Sequence, residues 1–513
     1  MSESFIYDEV PYPSFTFPQT RPDRLSTIGK HFGIETALPD GCRMLELGCG
    51  DGTNLLSFAY CHPNSKFVGF DLSKVHIDDA DKAKAKLGLE NARFECADVT
   101  TLSKDELGEF DFIIAHGLFS WVPDFVRDHM LRIYSECLAP NGIGYISYNA
   151  FPGFHIREIA RGIMKFHTDH IDGVDEKVNQ SATILGFIHE ALPKEHLHAK
   201  LIERELTELL ERTPPNVYHD DLSDVNRAFY FHEFASAIDE HGLQYVSESD
   251  ISSSTVHGFS EDVRKVLNTI GTDLIRREQY IDFIKFRRFR SSLICHSKLN
   301  LNREPDPTLV EAFRISSSLK PADVNSRLSD TSTMKFIGDK DENVQMNHPL
   351  TKTALAELGK VWTKSVGFNE LFERSRMSLA NSKVETTEDD RRKLATFLLQ
   401  LFQVDLVHFH RFEPLMADAV SDMPISSAFA RWQIEHKCVA VTTMTGMNLE
   451  PESDLVKLVI ELADGSRDKQ TIATEIFAAV DVPQDQREDF EEKLPSIVDS
   501  CLEELLRAGL LIA

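Results

Sequence analysis

A glycine-rich turn between an apolar strand and a helix constrains the fold of this chain more than any other feature. Residues 44–53 have the sequence MLELGCGDGT, in which Gly48, Gly50 and Gly52 alternate with other residues. Glycines in such a turn let the backbone approach a ligand closely, and the helix that follows offers free amide groups at its N-terminus. A dinucleotide-binding turn has the pattern Gly-x-Gly-x-x-Gly/Ala, but Thr53 occupies the third glycine position. The turn therefore indicates an α/β fold with a nucleotide-like ligand other than a dinucleotide.

Further apolar stretches follow at intervals typical of alternating strands and helices. After a strand at 43–47, we predict strands at 66–71, 93–98, 110–116 and 142–149, with helices at 54–60, 75–88 and 123–138. This alternation predicts βαβ units and a parallel sheet, whose ligands bind at the carboxyl ends of the strands. Asp71, roughly 20 residues beyond the glycines, is placed to accept two hydrogen bonds from a ribose diol.

The order of these features resembles the class I methyltransferases that use S-adenosylmethionine (SAM). The resemblance rests on Glu46-x-Gly48-x-Gly50-x-Gly52 and on the acids at the ends of the next two strands. It implies a Rossmann-like α/β domain with a mostly parallel seven-stranded sheet, SAM as cofactor, and recognition of the adenine by Asp98 and the backbone of Val99. The implied cofactor-binding residues are Tyr12, Glu46, Gly48, Cys49, Gly50, Asp51, Gly52, Asn54, Asp71, Leu72, Asp98, Val99, His116 and Gly117. An NAD-binding or degenerate Rossmann domain is the alternative.

Polar residues at the carboxyl ends of the fourth and fifth strands are candidates for the site of the methyl acceptor. We interpret His116, Tyr148 and Asn149 as catalytic residues that orient the acceptor; for His116 and Tyr148 a structural role is the alternative. No residue is identified as a general base. The aromatic residues predicted to line the acceptor channel, where their π faces favour a cation, are Tyr7, Tyr12 and Trp121. His408 and His410 lack an accompanying Cys or acidic cluster, so no metal site is predicted.

The N-terminal segment is rich in aromatic residues and proline. Five aromatic residues lie within thirteen positions, and Pro11, Pro13 and Pro18 lie among or beside them. This density favours a stiff, extended arm that packs against the domain. The alternative is a lid over the cofactor or the acceptor.

The composition excludes several classes of protein. The net charge of −27 argues against a general nucleic-acid binder, because phosphate contacts dominate that affinity. No apolar run approaches the ~18–20 residues of a membrane span, and the acidic start lacks the pattern of a secretion signal. The eight cysteines show no CxxC spacing and are interpreted mostly as buried, reduced thiols. We therefore expect a cytoplasmic protein.

The length of 513 residues predicts several domains. We divide the chain into a SAM-binding core with its arm (1–150), a helical insertion (151–218), a segment that completes the sheet and includes a regulatory region (219–299), a middle α/β domain (300–432) and a small C-terminal domain (433–513). The last is helical or winged-helix-like. Its excess of acidic residues favours protein contact or dimerisation over DNA binding.

Residues 275–296 combine arginines with aromatic residues. Such a mixture is found in RNA-binding segments. We favour a different interpretation, in which Phe283, Phe286 and Phe289 form a core stripe and the arginines pair with carboxylates. The end of this segment is predicted to be the closing strand of the sheet.

Several longer motifs resemble one bacterial group of methyltransferases that carry a methyltransferase regulatory domain. These motifs are YDEVPYPS at 7–14, QTRPDR at 19–24, SYNAFPG at 147–153, FYFHEF at 229–234 and EQYIDFIKFRRFR at 278–290. The group includes protein-lysine methyltransferases that modify bacterial outer-membrane proteins. The resemblance implies a homodimer and a protein lysine as acceptor. A small-molecule or lipid methyltransferase and a non-catalytic SAM-binding regulatory protein are the alternatives.

Overall fold

The computed structural model describes Tyr12 and residues 15–256, 258–271, 273–323 and 325–513. Its largest sheet has seven strands, which are β1 (Arg43–Leu47), β2 (Lys66–Asp71), β3 (Ala92–Cys96), β4 (Phe110–Ala115), β5 (Leu138–Asn149), β6 (Leu243–Glu248) and β7 (Phe289–His296). The strand order is β3-β2-β1-β4-β5-β7-β6, and only β7 runs antiparallel to its neighbours. This confirms the predicted Rossmann-like, mostly parallel seven-stranded sheet.

Helices cover both faces of the sheet. In the first part of the chain they are α1 (Pro22–His31), α2 (Thr53–Cys61), α3 (Lys74–Lys86), α4 (Lys104–Leu107) and α5 (Asp124–Cys137). Successive side chains of a strand point to opposite faces. Accordingly, Met44 belongs to one apolar cluster and Leu45 to the other, and Phe112 and Ile113 divide in the same way. Burial on both faces explains why the strands are apolar throughout.

A group of four helices follows β5. It comprises α6 (Phe154–Thr168), α7 (Val174–Ala191), α8 (Leu197–Leu210) and α9 (Pro214–Asp221). Its buried residues, among them Met164, Leu185 and Ile202, form a separate apolar cluster. The helical insertion predicted after the fifth strand is therefore present, and it has a core of its own.

The chain then returns to complete the sheet. Helix α10 (Phe231–Glu240) leads into β6, and α11 (Ile251–Ser254), α12 (Glu261–Ile270) and α13 (Leu274–Lys285) precede β7. Helix α13 ends at Lys285, and the residue after it, Phe286, has a left-handed φ of +52°. The helical spacing of the three phenylalanines is therefore interrupted.

The predicted core stripe in this segment is wrong, because Phe283, Phe286 and Phe289 are 45%, 45% and 39% exposed. The predicted pairing of the arginines is confirmed for three of them. Arg287 pairs with Asp282, Arg288 with Glu205 and Glu208, and the fully buried Arg290 with Glu248, Glu278 and Asp282.

The remaining chain forms two further groups of elements. The first contains β8 (Arg314–Ser316), β9 (Lys320–Pro321), β10 (Met334–Ile337), β11 (Asn343–Met346), α14 (Pro349–Val361), β12 (Val366–Gly367), α15 (Phe368–Ala380), α16 (Glu388–Gln403) and β13 (His408–His410). The second contains α17 (Ala428–Glu435), β14 (Val441–Thr442), β15 (Asn448–Leu449), α18 (Asp454–Leu462), α19 (Lys469–Ala479) and α20 (Arg487–Arg507). The additional α+β elements expected beyond the methyltransferase domain are thus present.

The first of these groups is not packed independently of the sheet. A single apolar cluster contains Leu25 and Met44 together with Phe313, Ile315 and Leu394. The last group has its own cluster, which includes Val459, Ile472 and Leu502. In the part of the chain that the structure describes, no helix has the length and apolarity needed to cross a membrane.

Candidate cofactor and acceptor site

The glycine turn joins β1 to α2 at the carboxyl edge of the sheet. Gly48, Gly50 and Gly52 all have left-handed φ angles, of +72°, +54° and +74°. A Cβ on Gly52 would lie 2.7 Å from the ring of Phe94, so packing against the sheet excludes a side chain there. A Cβ on Gly50 would meet nothing within 4 Å, so its side of the turn is open. The turn is therefore a backbone cradle that is closed on one side and open on the other.

The structure fits SAM at this edge in two independent respects. Gly117, after β4, repeats the geometry of Gly50: its φ is +63°, and a Cβ would meet nothing within 4 Å. These two positions leave open backbone at the ends of neighbouring strands. The second respect is an unpaired carboxylate oxygen on β1.

Glu46, near the end of β1, is 2% exposed. Its Oε1 accepts a hydrogen bond from Asn54 Nδ2 at 3.0 Å, whereas Oε2 is buried and has no hydrogen-bond partner among the described residues. Burial raises the pKa of Glu46 to about 8; the bond from Asn54 opposes this shift, and the charge of Asp71 adds to it. A cationic donor beside Oε2 would favour the ionised form of Glu46, and the α-ammonium of SAM is such a donor.

Asp71 supports the glycine turn directly. Its Oδ2 accepts a hydrogen bond from the amide of Gly50 at 2.8 Å, and its Oδ1 accepts one from the amide of Ser73 at 2.9 Å. Each carboxylate oxygen accepts more than one hydrogen bond. Asp71 can therefore brace the turn and still receive a ribose hydroxyl.

Asp98 follows β3 and caps a short 3-10 helix. Its Oδ1 accepts hydrogen bonds from the amide and the hydroxyl of Thr100, both at 2.8 Å. Val99 is partly buried beside it. The exposed Cys96, two positions before Asp98, donates a hydrogen bond to the carbonyl of Leu72, which is itself 49% exposed. The predicted adenine-binding residues Asp98 and Val99 therefore follow the end of β3, which Cys96 links to Leu72 after β2.

Two other predicted cofactor-binding residues lie within the turn. Cys49 is 7% exposed, and its side chain lies against the position that a Cβ on Gly69 would occupy. Asp51 accepts a hydrogen bond from the amide of Thr53 at 3.1 Å, at the start of α2. Both side chains shape the turn, so any contact they make with a cofactor is expected to involve their backbone.

His116 lies between β4 and the N-terminal segment. Its Nδ1 is 2.8 Å from the hydroxyl of Tyr145, which donates its proton to Ser291 Oγ at 3.0 Å. Burial lowers the pKa of His116 to about 4, so the ring is neutral near pH 7. Because the single phenol proton is directed to Ser291, the network assigns the imidazole proton to Nδ1 and leaves Nε2 as an acceptor.

Tyr148 occupies the opposite face of the sheet. It is 0% exposed, its ring stacks on Phe234 at 4.3 Å, and its hydroxyl is 3.3 Å from Ser292 Oγ. The alternation of side chains along β5 is the reason, since Tyr145 and Asn149 face one side and Tyr148 faces the other. A hydroxyl buried in this core cannot reach an acceptor that enters from solvent. This position contradicts the prediction that Tyr148 orients the acceptor and supports the structural alternative.

Asn149 connects the end of β5 to the segment that follows the insertion. Its amide donates to Ser120 Oγ at 2.9 Å, and its Nδ2 donates to Asn226 Oδ1 at 2.8 Å. Trp121, next to Ser120, is partly buried, and its Nε1 has no hydrogen-bond partner among the described residues. Asn149 and Trp121 are thus brought to the same edge as His116 and Gly117.

The predicted tyrosines of the arm are only partly described. Tyr12 contacts the helical insertion: its hydroxyl donates to Asp220 Oδ1 at 3.5 Å, and its ring centroid is 5.9 Å from that of His219. Tyr7 lies outside the described residues. The structure therefore relates Tyr12 to the insertion and leaves the expectation for Tyr7 as a prediction.

Sequence reasoning missed several residues at this edge. The ring of Phe17 lies 3.8 Å from that of His116, and its amide donates to Asn54 Oδ1 at 2.9 Å. Thr20 Oγ1 accepts a second bond from Asn54 Nδ2, at 3.2 Å. The high density of aromatic residues in the arm is the sequence feature that could have identified Phe17 as a site residue. Tyr145 and His116 belong to separate strand regions, so no local sequence pattern predicts their contact.

Comparisons with known proteins agree with this arrangement. Residues 38–204 match the family described as "Methyltransferase domain", and residues 213–296 match "Predicted methyltransferase regulatory domain". Uncharacterized protein RP789 of Rickettsia prowazekii (strain Madrid E) is 31% identical over 530 residues, which cover 99% of this chain and 93% of the relative. Uncharacterized protein RP028 of the same organism is 37% identical over 229 residues, covering 44% of this chain and 91% of the relative.

Two solved structures match almost the whole chain. PKMT2 from Rickettsia typhi has a TM-score of 0.86 and 26% identity, with 98% of this chain and 100% of that chain covered. Its complex with AdoHcy, the demethylated form of SAM, has a TM-score of 0.85, 25% identity and the same coverage. SAM is the cofactor of the present enzyme. Taken with the seven-stranded sheet and its glycine cradle, these matches establish that the chain belongs to the SAM-dependent methyltransferases that carry a methyltransferase regulatory domain.

Proposed function

We propose that this enzyme transfers the methyl group of SAM to lysine side chains of a protein. The observation that carries the proposal is the similarity to PKMT2, a protein lysine methyltransferase, across 98% of the chain at a TM-score of 0.86. This similarity includes the insertion and the C-terminal elements, which a small acceptor would not require. By contrast, trans-aconitate 2-methyltransferase of Variovorax paradoxus matches only 21% of the chain.

The cofactor is proposed to bind between the glycine turn and the ends of β2, β3 and β4. Gly50 and Gly117 supply open backbone, Glu46 Oε2 receives the α-ammonium, Asp71 receives the ribose hydroxyls, and Asp98 with Val99 faces the adenine. SAM supplies a methyl group on a sulfonium, which leaves as a neutral thioether when the acceptor nitrogen attacks the methyl carbon. The protein's main task is therefore to align the acceptor and exclude water.

His116 is proposed to orient the acceptor nitrogen through Nε2. A lysine ammonium has a pKa of ~10.4 when unperturbed and must lose a proton before its lone pair can attack. His116, with a pKa lowered to about 4, is too weak a base to hold that proton. The proton passes to solvent, and His116 accepts a hydrogen bond from the remaining N–H. Asn149 and Trp121 complete the proposed acceptor site, and Tyr148 is left out of it.

The same proposal includes the domain boundaries given above, a homodimer, a cytoplasmic location and the absence of nucleic-acid binding. Two aromatic side chains of the insertion, Phe166 and Phe187, are 84% and 67% exposed. We include these two side chains, on α6 and α7, in the proposed dimer interface. Light scattering of the purified enzyme tests the dimer directly.

The acceptor class is tested with SAM that carries a radioactive methyl group. The enzyme is incubated with a bacterial protein extract and, separately, with the lipid and small-molecule extracts of the same cells. We expect label in protein and methyllysine after acid hydrolysis. Protein whose lysines have been acetylated serves as the matched control and should remain unlabelled. Label confined to the lipid or small-molecule extract would overturn the protein acceptor.

A further inference from the structure

Residues 15–21, here called the arm segment, contact the candidate cofactor site on one side. The amide of Phe17 donates to Asn54 Oδ1 at 2.9 Å, and the Phe17 ring lies 3.8 Å from the ring of His116, tilted by 34°. Thr20 Oγ1 accepts a hydrogen bond from Asn54 Nδ2, which also donates to Glu46. The arm segment therefore touches residues that follow β1 and β4, the two neighbouring strands that flank the site.

The other side of the arm segment contacts the β14–β15 hairpin near the C-terminus. Thr16 is 3% exposed. Its Oγ1 lies 3.0 Å from Thr442 Oγ1 and 2.5 Å from Asn448 Oδ1. The Nδ2 of Asn448 donates to the carbonyl of Thr16 at 2.9 Å. Both the side chain and the backbone of Thr16 are thus fixed by this hairpin.

A second contact between the same two segments depends on a glycine. Arg21 Nη2 donates to the carbonyl of Met444 at 3.1 Å. Gly446, in the turn of the hairpin, has a φ of +84°, and a Cβ on it would lie 2.1 Å from Arg21 Nη1. With Arg21 in this position residue 446 has no room for a side chain, and its left-handed φ also favours glycine.

Adjacent residues transmit these contacts from one side to the other. Thr16 is held by the hairpin and Phe17 by Asn54 and His116, and a planar peptide group joins them. A shift of Thr16 therefore alters the hydrogen bond between Phe17 and Asn54. Asn54 in turn donates the hydrogen bond to Oε1 of Glu46, whose other oxygen has no hydrogen-bond partner among the described residues.

We propose that the β14–β15 hairpin controls the affinity for SAM, with Thr442 and Asn448 as positioning residues that hold the arm segment against Asn54 and His116. This proposal rests on the cofactor site proposed above. It gives the C-terminal elements a task in cofactor binding, independent of the identity of the acceptor. The alternative is that these contacts only join two parts of the molecule.

Titration calorimetry of the full-length enzyme with SAM and with AdoHcy tests the proposal. Thr442→Val keeps the shape of the side chain and removes its hydroxyl, and Thr442→Ser restores the hydroxyl. Asn448→Ala removes both bonds to Thr16. We expect Thr442→Val and Asn448→Ala to weaken SAM binding about five- to tenfold, as the loss of one or two neutral hydrogen bonds predicts. Thr442→Ser should bind as the natural protein does. In kinetics, the two weakened variants should raise KM for SAM by a larger factor than they lower kcat at saturating SAM.

Glu435→Gln is the matched control. Glu435 also joins the C-terminal elements to the methyltransferase domain, through an exposed ion pair with Lys86 that is separate from the arm segment. This variant should bind SAM normally. If Glu435→Gln weakens SAM binding as much, the effect comes from any loss of contact between the C-terminal elements and the methyltransferase domain, and the proposal is wrong. Unchanged SAM affinity in folded Thr442→Val would also overturn it, even if the melting temperature of that variant fell. If Asn448→Ala does not fold, the isosteric Thr442→Val decides. Failure of the cofactor site itself is distinguished by Gly50→Val, which would then bind SAM normally.

Discussion

At the scale of single residues, Glu46 links the cofactor site to pH. Burial raises its pKa from 4.5 to about 8. Between these values the folded, ligand-free protein binds one proton more than the unfolded chain, so stability falls as pH rises through that window. Glu46→Gln should lack this dependence, and its melting temperature should exceed that of the natural protein at pH 9 more than at pH 5. Calorimetric scans at both pH values measure the difference. Parallel pH curves for the two proteins would contradict the burial of an ionisable group at this position.

Gly50 provides a second test at the same scale. Its left-handed backbone and open side predict that Gly50→Val weakens SAM binding more than about tenfold, because a branched side chain would occupy the space for the cofactor. Gly88→Val is the control, since Gly88 has a φ of +65°, also faces open space, and follows α3 away from the turn. Both variants carry the same backbone strain. Only the first should lose SAM in calorimetry, and equal affinity in the two would remove Gly50 from the site.

At the scale of elements, residues at the ends of β4 and β5 are predicted to have different roles. His116 serves methyl transfer, whereas Tyr148 belongs to the core. His116→Ala should lower the rate of methyl transfer at saturating SAM, because the acceptor loses its hydrogen-bond partner, by roughly 100-fold or less. Tyr145→Phe should give a smaller loss of the same kind, since it frees the His116 ring to turn. Tyr148→Phe removes a hydroxyl in the core and should leave the rate unchanged. Single-turnover assays compare the three; a Tyr148→Phe defect as large as that of His116→Ala would restore Tyr148 to the site.

These elements also show what the sequence can and cannot predict. The first five strands and the helices between them followed from apolar runs and turn residues, and the seven-stranded sheet was implied by the family resemblance. Period-two alternation along β5 places Tyr148 and Asn149 on opposite faces of the sheet, so the sequence pattern itself separates the two side chains. The stripe of three phenylalanines failed because Phe286 adopts a left-handed conformation that ends α13. The contacts of Phe17 with His116 and of Thr16 with Asn448 join distant segments, so no local periodicity reveals them.

At the scale of the whole molecule, Asp23 on α1 fastens the segment after β13 to the methyltransferase domain. Its carboxylate accepts hydrogen bonds from the amides of Arg411 and Phe412 at 2.7 and 3.0 Å, and from His410 Nδ1 at 2.9 Å. Burial opposes ionisation, but these bonds prevail and lower the pKa of Asp23 below 3.8. Its stabilising contribution is therefore complete above the unfolded pKa and is lost as pH falls through the folded pKa.

Asp23→Asn should destabilise the enzyme by about 1–3 kcal/mol near pH 7, because an amide accepts these bonds less well and its NH2 group faces other donors. Urea unfolding measures the change. Asp78→Asn is the control, since Asp78 forms an exposed ion pair with Lys74 within α3 and its replacement should alter stability by less than ~0.5 kcal/mol. The difference between the variants should shrink as pH falls through the folded pKa of Asp23, which lies below its ordinary value. If both substitutions lower the free energy of unfolding equally, Asp23 does not join the two parts of the molecule as described.

The cysteines give the enzyme a built-in attachment point for a reporter dye. Of the eight, all within the described part of the chain, Cys96 alone is exposed, whereas five are buried and two are partly buried. Thiol-reactive reagents modify accessible thiols first. A maleimide fluorophore should therefore label Cys96 selectively, two residues from Asp98 at the proposed adenine site. Its emission should change on addition of SAM or AdoHcy, so that cofactor binding by every variant above is followed optically, without a methyl acceptor.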